Sequence, residues 1–329
     1  MIRINANENY YGCSPKVKKT LLKNIANIHH YPSSGSNLEI RLSEIFNCNQ
    51  QNIVLGAGSV KLIEAIIQFL VNVDDEILFH KQSFVAYEQL ALMYKRNYKL
   101  VPLVKFKCDV DNMLLEVSPK TKLIFIANPN NPTGTIISHA ELKRLLSKVP
   151  PNCFVVIDEA YAEYVNAKNF PNSIKLQKTF PNLIILRTFS KIYGLAGLRI
   201  GYAIVNNEVA NVLRKNRLPF YLNTFCEDAA ITAISDKKFI EKSCIKNNLE
   251  RIYLRSGIKS LGFQVLPSEA NFLYLPFKEE KLKDRVYEFL IKNNIQICDL
   301  KVFGQSNALR ITIADRKINT HILQLLKQI

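Results

Sequence analysis

The segment LIILRTFSKIYGLAGLRIGY, residues 183–202, decides which fold we expect. It begins with four consecutive apolar residues, which predict a buried β-strand, and a second apolar run follows after a loop. Lys191 lies in that loop, with the hydroxyl residues Thr188 and Ser190 before it and Arg199 after it. Because lysine is almost always solvent-exposed unless it is paired, this grouping requires a chemical explanation.

Short apolar runs that predict strands alternate with helical patterns over the first two thirds of the chain. Helices are expected after Ser14, which precedes Pro15 as an N-cap, within the segment RLSEIF, from Ser59, and after Ser138. The strand-like runs are Ile53–Leu55, Ile77–Phe79, Leu100–Val104, Leu123–Ile126, Phe154–Ile157, Leu183–Leu186 and Ile200–Val205. This alternation is typical of an α/β fold, a mostly parallel sheet covered by helices on both faces.

The last third of the chain has a different pattern. The strand-like segments NFLYLPF, IQICDL and ALRITIA are separated or followed by helical patterns, which predicts a small α+β domain. We therefore expect a large α/β domain at residues 31–245, and a small domain formed by residues 1–30 and 246–329.

Composition excludes several classes of protein. The formal net charge is +16, but the 44 basic residues are spread along the whole chain, which favours a lysine-rich surface over a nucleic-acid-binding face. No apolar run approaches the length of a membrane span, and the N-terminus lacks the apolar stretch of a signal peptide. The seven cysteines and five histidines are scattered without metal-ligand spacing, which indicates reduced thiols, no metal site and a cytoplasmic location.

Four polar segments follow predicted strands, and each alone has an ordinary structural explanation. They are GAGS, ANPNNPTG, DEAY and RTFSK. A glycine turn, a rigid Asn-Pro turn, a helix N-cap at Asp158 and a surface lysine would account for them one at a time. In an open α/β sheet, however, the carboxyl ends of the strands form one ligand-binding crevice, so these segments are expected to meet.

Taken together, the four segments match the requirements of pyridoxal phosphate. The amine of Lys191 can form a Schiff base with the aldehyde, and the carboxylate of Asp158 can keep the pyridine nitrogen protonated. Asn131 and Tyr161 can donate hydrogen bonds to the ionised ring hydroxyl. The phosphate requires N–H groups at a helix start, hydroxyls and a guanidinium, which are offered by Gly58, Ser59, Thr188, Ser190 and Arg199.

The motifs ANPNNPTG, VVIDEAYAEY and RTFSKIYGLAGLRIGY, in this order, resemble those of the fold-type-I pyridoxal-phosphate enzymes, aminotransferase class I/II. Within that family the chain is most similar to the histidinol-phosphate aminotransferases. The resemblance extends over nearly the whole chain, from NANENYYGCSP to ALRITIA. It implies an enzyme that moves an amino group from a donor, histidinol phosphate in histidine biosynthesis, to 2-oxoglutarate by a ping-pong route.

The resemblance also assigns roles to residues. Lys191 matches the coenzyme-binding lysine that shuttles a proton between the substrate Cα and the coenzyme, and Phe84 in KQSFVAY matches an aromatic that stacks on the ring. A core phenylalanine is an equally good reading of Phe84. Tyr31 matches a tyrosine that reaches the phosphate in the partner subunit, which implies a homodimer with shared sites. Arg310 matches the arginine that binds the acidic group of the substrate, with Tyr11 expected beside it.

Two departures from the family pattern affect the substrate prediction. Family members commonly have GSDE where this chain has GSVK, ending in Val60 and Lys61. Many histidinol-phosphate enzymes also carry an arginine where this chain has Cys298, so a second cation for a phosphorylated donor is missing. Two alternatives therefore stay open: an aromatic aminotransferase, and an amino-acid-phosphate decarboxylase of the threonine-phosphate type. A non-catalytic binder that uses the basic charge is disfavoured, because the lysine and aspartate motifs are intact.

Overall fold

The computed structural model describes residues 1–329. The strands are β1 (Ile2–Arg3), β2 (Ile53–Gly56), β3 (Glu76–His80), β4 (Asn97–Val101), β5 (Thr121–Ala127), β6 (Phe154–Asp158), β7 (Leu183–Thr188), β8 (Gly201–Ile204), β9 (Phe272–Pro276), β10 (Ile295–Gln296), β11 (Cys298–Asp299) and β12 (Ala308–Thr312). The helices are α1 (Pro15–Asn24), α2 (Ser36–Phe46), α3 (Ser59–Leu70), α4 (Ala86–Met93), α5 (Val110–Leu115), α6 (His139–Lys148), α7 (Ser173–Thr179), α8 (Asn207–Lys215), α9 (Cys226–Ser235), α10 (Lys237–Ser260), α11 (Glu280–Lys292) and α12 (Arg316–Leu326). No helix is both long and apolar enough to cross a membrane.

A seven-stranded sheet in the order β2-β8-β7-β6-β5-β3-β4 forms the centre of the molecule. Its strands are parallel except β8, which is antiparallel to both of its neighbours. Alternate side chains of β5 point to opposite faces: Ile124 and Ile126 belong to one apolar core, and Leu123 and Phe125 to another. Burial on both faces explains why the central strands are continuous apolar runs in the sequence.

Two smaller sheets are formed mainly by the C-terminal third of the chain. β11, β12 and β9 form an antiparallel sheet, and β1 at the N-terminus pairs in parallel with β10. Residues of these strands and of α10, α11 and α12 form a separate apolar core, which includes Ile4. The first residues of the chain are thereby held to the C-terminal unit.

Local capping signals in the sequence predicted helix starts well. Ser14 accepts a hydrogen bond from the Lys16 N–H at the start of α1, and Ser138 and Glu141 form a reciprocal capping box at the start of α6. The strand predicted at Leu100–Val104 was wrong in its bounds, because β4 runs from Asn97 to Val101. Pro102 has no N–H to donate to a ladder, so the strand ends before it. β4 is an edge strand with several exposed polar residues, so it is not a continuous apolar run in the sequence.

The domain division at residue 245 stays a prediction. The packing of α10 is consistent with this boundary, whereas the packing of α1 is not consistent with the boundary predicted at residue 30. Residue 245 falls inside α10, whose Ile240 and Cys244 pack on the large core while Leu254 and Ile258 lie in the small one. Val17 of α1 is fully buried in the large core, although residues 1–30 were expected to belong to the small domain. We propose that only the residues before α1 belong to the small domain.

Candidate active site

A cavity of about 300 Å³ opens at the carboxyl ends of β5, β6 and β7, beside the small sheet. Because parallel strands end at the same edge, residues far apart in sequence meet there. The sequence-predicted residues that line it are Ser59, Phe84, Asn131, Asp158, Tyr161, Thr188, Ser190, Lys191, Arg199 and Arg310.

Lys191 lies in the loop after β7 and is half-buried. Its Nζ donates a hydrogen bond to the backbone carbonyl oxygen of Ala6 at 3.0 Å. The same nitrogen stands 5.5 Å from the centre of the Tyr161 ring. The amine therefore reaches into the cavity between the large sheet and the N-terminal segment.

Asp158 ends β6 at the floor of the cavity and is only 4% exposed. One carboxylate oxygen accepts the Ala160 N–H at 3.2 Å, and the other accepts the Tyr87 hydroxyl at 2.9 Å. Burial raises the pKa of Asp158 to about 6, although these two hydrogen bonds oppose the shift. A cation placed against this carboxylate would favour its charged form.

A cup of donors lies at the start of α3. Arg199 donates to the Ser190 hydroxyl at 3.4 Å, and the Thr188 hydroxyl donates to the same oxygen at 3.1 Å. Gly58 has a φ of +83°, and a Cβ at this position would lie 2.6 Å from a guanidinium nitrogen of Arg199. Only glycine therefore lets the guanidinium approach the free N–H groups of α3 at Ser59.

Asn131 follows β5 and Tyr161 follows β6, and both line the same cavity as this cup. The Asn131 side-chain oxygen accepts a hydrogen bond from Arg310, which leaves its NH₂ group to donate elsewhere. The Tyr161 hydroxyl accepts from the Asn7 side-chain amide at 3.1 Å, which leaves the phenol hydrogen free. The Phe84 ring lines the cavity and packs edge-on against Tyr87, with ring centres 5.7 Å apart.

Arg310 projects from β12 into the cavity and is 4% exposed. Its guanidinium lies between the rings of Phe272 and Phe303, at 5.4 and 5.3 Å from their centres. Besides Asn131 it contacts the Asn5 carbonyl oxygen at 2.8 Å, while its buried Nε has no partner. Most of its five N–H donors therefore remain available to an anion.

Cys298 is the direct cross-strand neighbour of Arg310 in the β11–β12 ladder. Directly opposed residues of an antiparallel pair lie on the same face of the sheet. A long cationic side chain at position 298 would therefore point to the same side as Arg310. Burial raises the pKa of the Cys298 thiol, so no charge is contributed from this position.

Val60 and Lys61, the departures at the start of α3, point to different surroundings. Val60 lines the cavity, whereas Lys61 is exposed and pairs with Glu64 at 2.8 Å. The first turn of α3 therefore has no acidic residue. No negative side chain offsets the positive end of the helix dipole, which faces the cup.

Tyr31 and Tyr11 do not line this cavity. Tyr31 is 78% exposed and stacks on Phe220, with ring centres 4.1 Å apart. Tyr11 lies under the amine of Lys246, 4.9 Å from its ring centre, and not beside Arg310 as expected. Tyr11 packs toward α10, where burial and the nearby Glu250 raise its pKa to about 12.

These residues fit pyridoxal phosphate. The glycine-lined cup with Arg199 suits a phosphate, the buried Asp158 forms no salt bridge, and Lys191 lines the same cavity. The comparison with protein families agrees: the family described as "Aminotransferase class I and II" matches residues 1–326. The chain belongs to this family.

Individual relatives of this aminotransferase extend the comparison. Histidinol-phosphate aminotransferase 1 of Mannheimia succiniciproducens is 35% identical over 330 residues, which cover 100% of this chain and 90% of the relative. The family, the α/β fold and the dependence on pyridoxal phosphate that the sequence predicted are confirmed.

Two solved structures share the fold. Histidinol-phosphate aminotransferase from Sinorhizobium meliloti in complex with pyridoxal-5'-phosphate superposes with a TM-score of 0.91 at 24% identity, covering 99% of this aminotransferase and 90% of that chain. L-threonine-O-3-phosphate decarboxylase from Porphyromonas gingivalis gives a TM-score of 0.86 at 23% identity, covering 100% and 99%. At these identities the likeness establishes the fold alone, which is common to both reactions.

Sequence reasoning missed several residues of the site. Tyr87 follows Phe84 by one turn in the segment KQSFVAY, and this spacing was the available signal for a second aromatic on the same side. Asn7, Phe272 and Phe303 gave no comparable signal, because chain segments distant in sequence bring them to the cavity.

Proposed function

We propose that this aminotransferase transfers the amino group of histidinol phosphate to 2-oxoglutarate in histidine biosynthesis. The observation that carries the proposal is Arg310, a buried guanidinium with an unpartnered Nε at the wall of the cavity that holds Lys191. An unpaired buried donor is costly, so an anionic ligand that accepts from it gains binding energy. Both substrates carry a distal anion, and one arginine can serve each in turn.

The coenzyme-binding roles follow from the contacts of the site. When bound, pyridoxal phosphate supplies an aldehyde carbon that takes up the amino group and a ring that withdraws electrons from the donor Cα. Lys191 Nζ would hold the coenzyme covalently and would also be the group that accepts the proton from the donor Cα. The Asp158 carboxylate would hold a proton on the pyridine nitrogen, and Phe84 would pack against the ring.

The other polar residues orient the coenzyme. Asn131 offers its free NH₂ group, and Tyr161 its free phenol hydrogen, to the ring oxygen. The phosphate is held by Gly58, Ser59, Thr188, Ser190 and Arg199, which combine N–H groups of a helix start with hydroxyls and a guanidinium.

A panel of amino donors tests the proposal directly. The holoenzyme is mixed with histidinol phosphate, phenylalanine or O-phosphothreonine in the presence of 2-oxoglutarate, and glutamate and carbon dioxide are measured. We expect glutamate, with the highest kcat/KM for histidinol phosphate. A preference for phenylalanine would favour the aromatic aminotransferase, and carbon dioxide from O-phosphothreonine would favour the decarboxylase.

The variant Arg310→Lys should weaken both substrates together. Lysine keeps the charge but lacks the planar fork that forms two hydrogen bonds to carboxylate or phosphate. We expect kcat/KM for histidinol phosphate and for 2-oxoglutarate each to fall by an amount equivalent to about 1–3 kcal/mol. Unchanged values for both would mean that Arg310 is structural, and would remove the main support for the substrate.

Cys298→Arg is the companion variant, because position 298 faces the same side as Arg310. A second guanidinium there should improve kcat/KM for histidinol phosphate more than for phenylalanine, since only the former carries a phosphate. Cys298→Met, a long side chain without charge, controls for added volume. Equal effects of both variants on both donors would exclude a role of charge at this position.

We also propose a homodimer in which Tyr31 reaches the coenzyme phosphate of the partner subunit. Tyr31 is exposed, stacks on the half-exposed Phe220 and is absent from the cavity of its own chain. Phe220 also lines a groove of about 580 Å³ with an apolar wall, which includes Leu218 and Pro219. Large exposed apolar patches of this kind favour burial against another chain.

Mixing an inactive Lys191 variant with a severely impaired Tyr31 variant tests the shared site. One subunit carries Lys191→Ala and the other carries Tyr31→Ala, so one of the two sites in each mixed dimer is intact. If exchange is complete, about a quarter of the wild-type activity should return, because half the dimers are mixed and half their sites are complete. No recovery after confirmed subunit exchange would contradict the shared site.

The cellular location of the enzyme is also a proposal. Its seven cysteines are all free thiols, a state that the reducing cytoplasm maintains. We therefore propose that this aminotransferase acts in the cytoplasm on small-molecule donors and acceptors.

A further inference from the structure

Three successive residues near the N-terminus each form a hydrogen bond with a different side chain of the site. The Asn5 carbonyl oxygen accepts from Arg310 at 2.8 Å, the Ala6 carbonyl oxygen accepts from Lys191 at 3.0 Å, and the Asn7 side chain donates to Tyr161 at 3.1 Å. We call residues 5–7 the strap. It joins the substrate-binding arginine to the two residues that hold the coenzyme.

Asn7 is the one member of the strap that acts through its side chain. It is 1% exposed and has a φ of +56°, a left-handed conformation that asparagine tolerates better than most residues. Its backbone N–H donates to the Thr312 hydroxyl at 3.0 Å, and that hydroxyl donates to the Asn7 side-chain oxygen at 3.2 Å. The Asn271 amide donates to the Asn7 carbonyl oxygen at 3.1 Å, so every polar group of Asn7 is used.

The structure gives these bonds one direction of donation. The Thr312 hydroxyl accepts from the Asn7 N–H and donates its own hydrogen to the Asn7 side-chain oxygen. The NH₂ group of Asn7 then faces Tyr161, and the phenol hydrogen of Tyr161 is free to donate into the cavity. A change in the position of Thr312 is therefore passed to the phenol.

Thr312 connects this chain of bonds to the substrate arginine. It lies two residues beyond Arg310 on β12, so both side chains point to the same face of the strand. It also pairs in the ladder with Phe272, whose ring packs on both Arg310 and Tyr161. An anion that draws Arg310 away from Asn131 or Asn5 would therefore act on the strap in two places. It would act on Asn5 directly and on Asn7 through Thr312.

We propose that Asn7 is a positioning residue that couples anion binding at Arg310 to the hydrogen bond from Tyr161 to the coenzyme. The inference rests on the proposed roles of Arg310 and Tyr161. Coupling of this kind would adjust the protonation of the bound coenzyme only when the substrate anion is in place.

The test uses glutarate, a dicarboxylate that has neither an amino nor a keto group and cannot react. The visible absorption of the resting holoenzyme is titrated with pH, with and without saturating glutarate. We expect glutarate to move the titration midpoint by about 0.7 pH unit or more in the wild type, which equals a roughly fivefold coupling. By linkage, the Kd of glutarate should change with pH by the same factor.

Four variants assign the coupling to the strap. Asn7→Gly keeps the left-handed backbone and removes both side-chain bonds, and Thr312→Val removes the hydroxyl at constant shape. Both should bind glutarate but show a smaller midpoint shift than the wild type, because only the direct bond between Arg310 and Asn131 remains. Thr312→Ser keeps the hydroxyl and should retain the shift, whereas Asn7→Asp keeps the acceptor but loses the donor to Tyr161 and should not. Thermal unfolding of each variant, compared with the wild type, checks that it is folded.

The outcomes separate this inference from the proposed function. An equal shift in wild type, Asn7→Gly and Thr312→Val, or no shift in the wild type, overturns the coupling even if turnover is normal. If Arg310→Lys leaves the Kd of glutarate unchanged, the proposed role of Arg310 fails and the coupling fails with it. A reduced shift in Asn7→Gly and Thr312→Val, with the full shift kept in Thr312→Ser, supports it.

Discussion

Replacing Lys191 with alanine should abolish turnover while the protein stays folded. The amine makes only one hydrogen bond within the chain, to the Ala6 carbonyl, so its loss should change the free energy of unfolding by about 1 kcal/mol or less. No other residue lining the cavity is a lysine, so neither the covalent attachment nor the proton transfer has a substitute. We expect kcat to fall by at least about 10⁴-fold, as when other covalent catalysts are removed.

Borohydride reduction followed by peptide mapping identifies the attached lysine. In the wild type the label should lie on the peptide containing Lys191, and in Lys191→Ala no label should form. Lys175→Ala, at an exposed position on α7, is the matched control and should keep both the label and the activity. Label on any other lysine would remove the basis for the assignment.

Replacing Asp158 with asparagine should reduce turnover without abolishing coenzyme binding. The amide keeps the shape of the carboxyl group but carries no charge to hold a proton on the pyridine nitrogen. The phosphate cup and Lys191 are untouched, so some coenzyme should remain attached. We expect kcat to fall by on the order of 10² or more, a loss typical of charge-stabilising groups. Near-normal turnover would exclude the role.

The same variant has a pH signature in the coenzyme-free protein. The pKa of Asp158 is about 6 in the folded chain and about 3.9 in an unfolded one. Its contribution to stability is therefore fully present below pH ~3.9 and is lost as the pH rises through about 6. Asp158→Asn does not titrate, so its stability relative to the wild type should increase between pH 4 and pH 7.5, by up to about 3 kcal/mol.

Chemical denaturation at several pH values measures this difference. Asp111→Asn, at an exposed position in the first turn of α5, is the control that should show no comparable rise. A difference that does not depend on pH would mean that burial does not perturb the Asp158 carboxyl group.

The sequence predicted those parts of the site that each strand end carries for itself. Asp158, Lys191 and the glycine turn before Ser59 follow apolar runs, and parallel strands bring such ends together. Helix starts at Ser14 and Ser138 were equally local, because a cap is formed by residues within one turn. Where a few neighbouring residues determine the structure, the pattern alone was sufficient.

The remaining features depend on contacts between distant segments. Nothing near Tyr87 in the sequence indicates that its hydroxyl meets Asp158, and Tyr11 packs on α10 instead of approaching Arg310. The antiparallel direction of β8 was also hidden, since a buried apolar run has the same composition in either orientation. Val17 joins the large core because α1 packs on α9, a pairing that no local signal specifies.

The bonds between Asn7 and Thr312 have a consequence for how the chain is made. They join residues 305 positions apart, nearly the two ends of the polypeptide. Closing a flexible loop of this length costs about 5 kcal/mol of chain entropy, which local contacts cannot offset. During synthesis the nascent chain can assemble its central sheet early, but the strap lacks its partners Arg310 and Thr312 until β12 has left the ribosome. We therefore expect the site to be completed only when translation is almost finished, and a chain that ends before β12 to lack the Arg310 and Thr312 contacts.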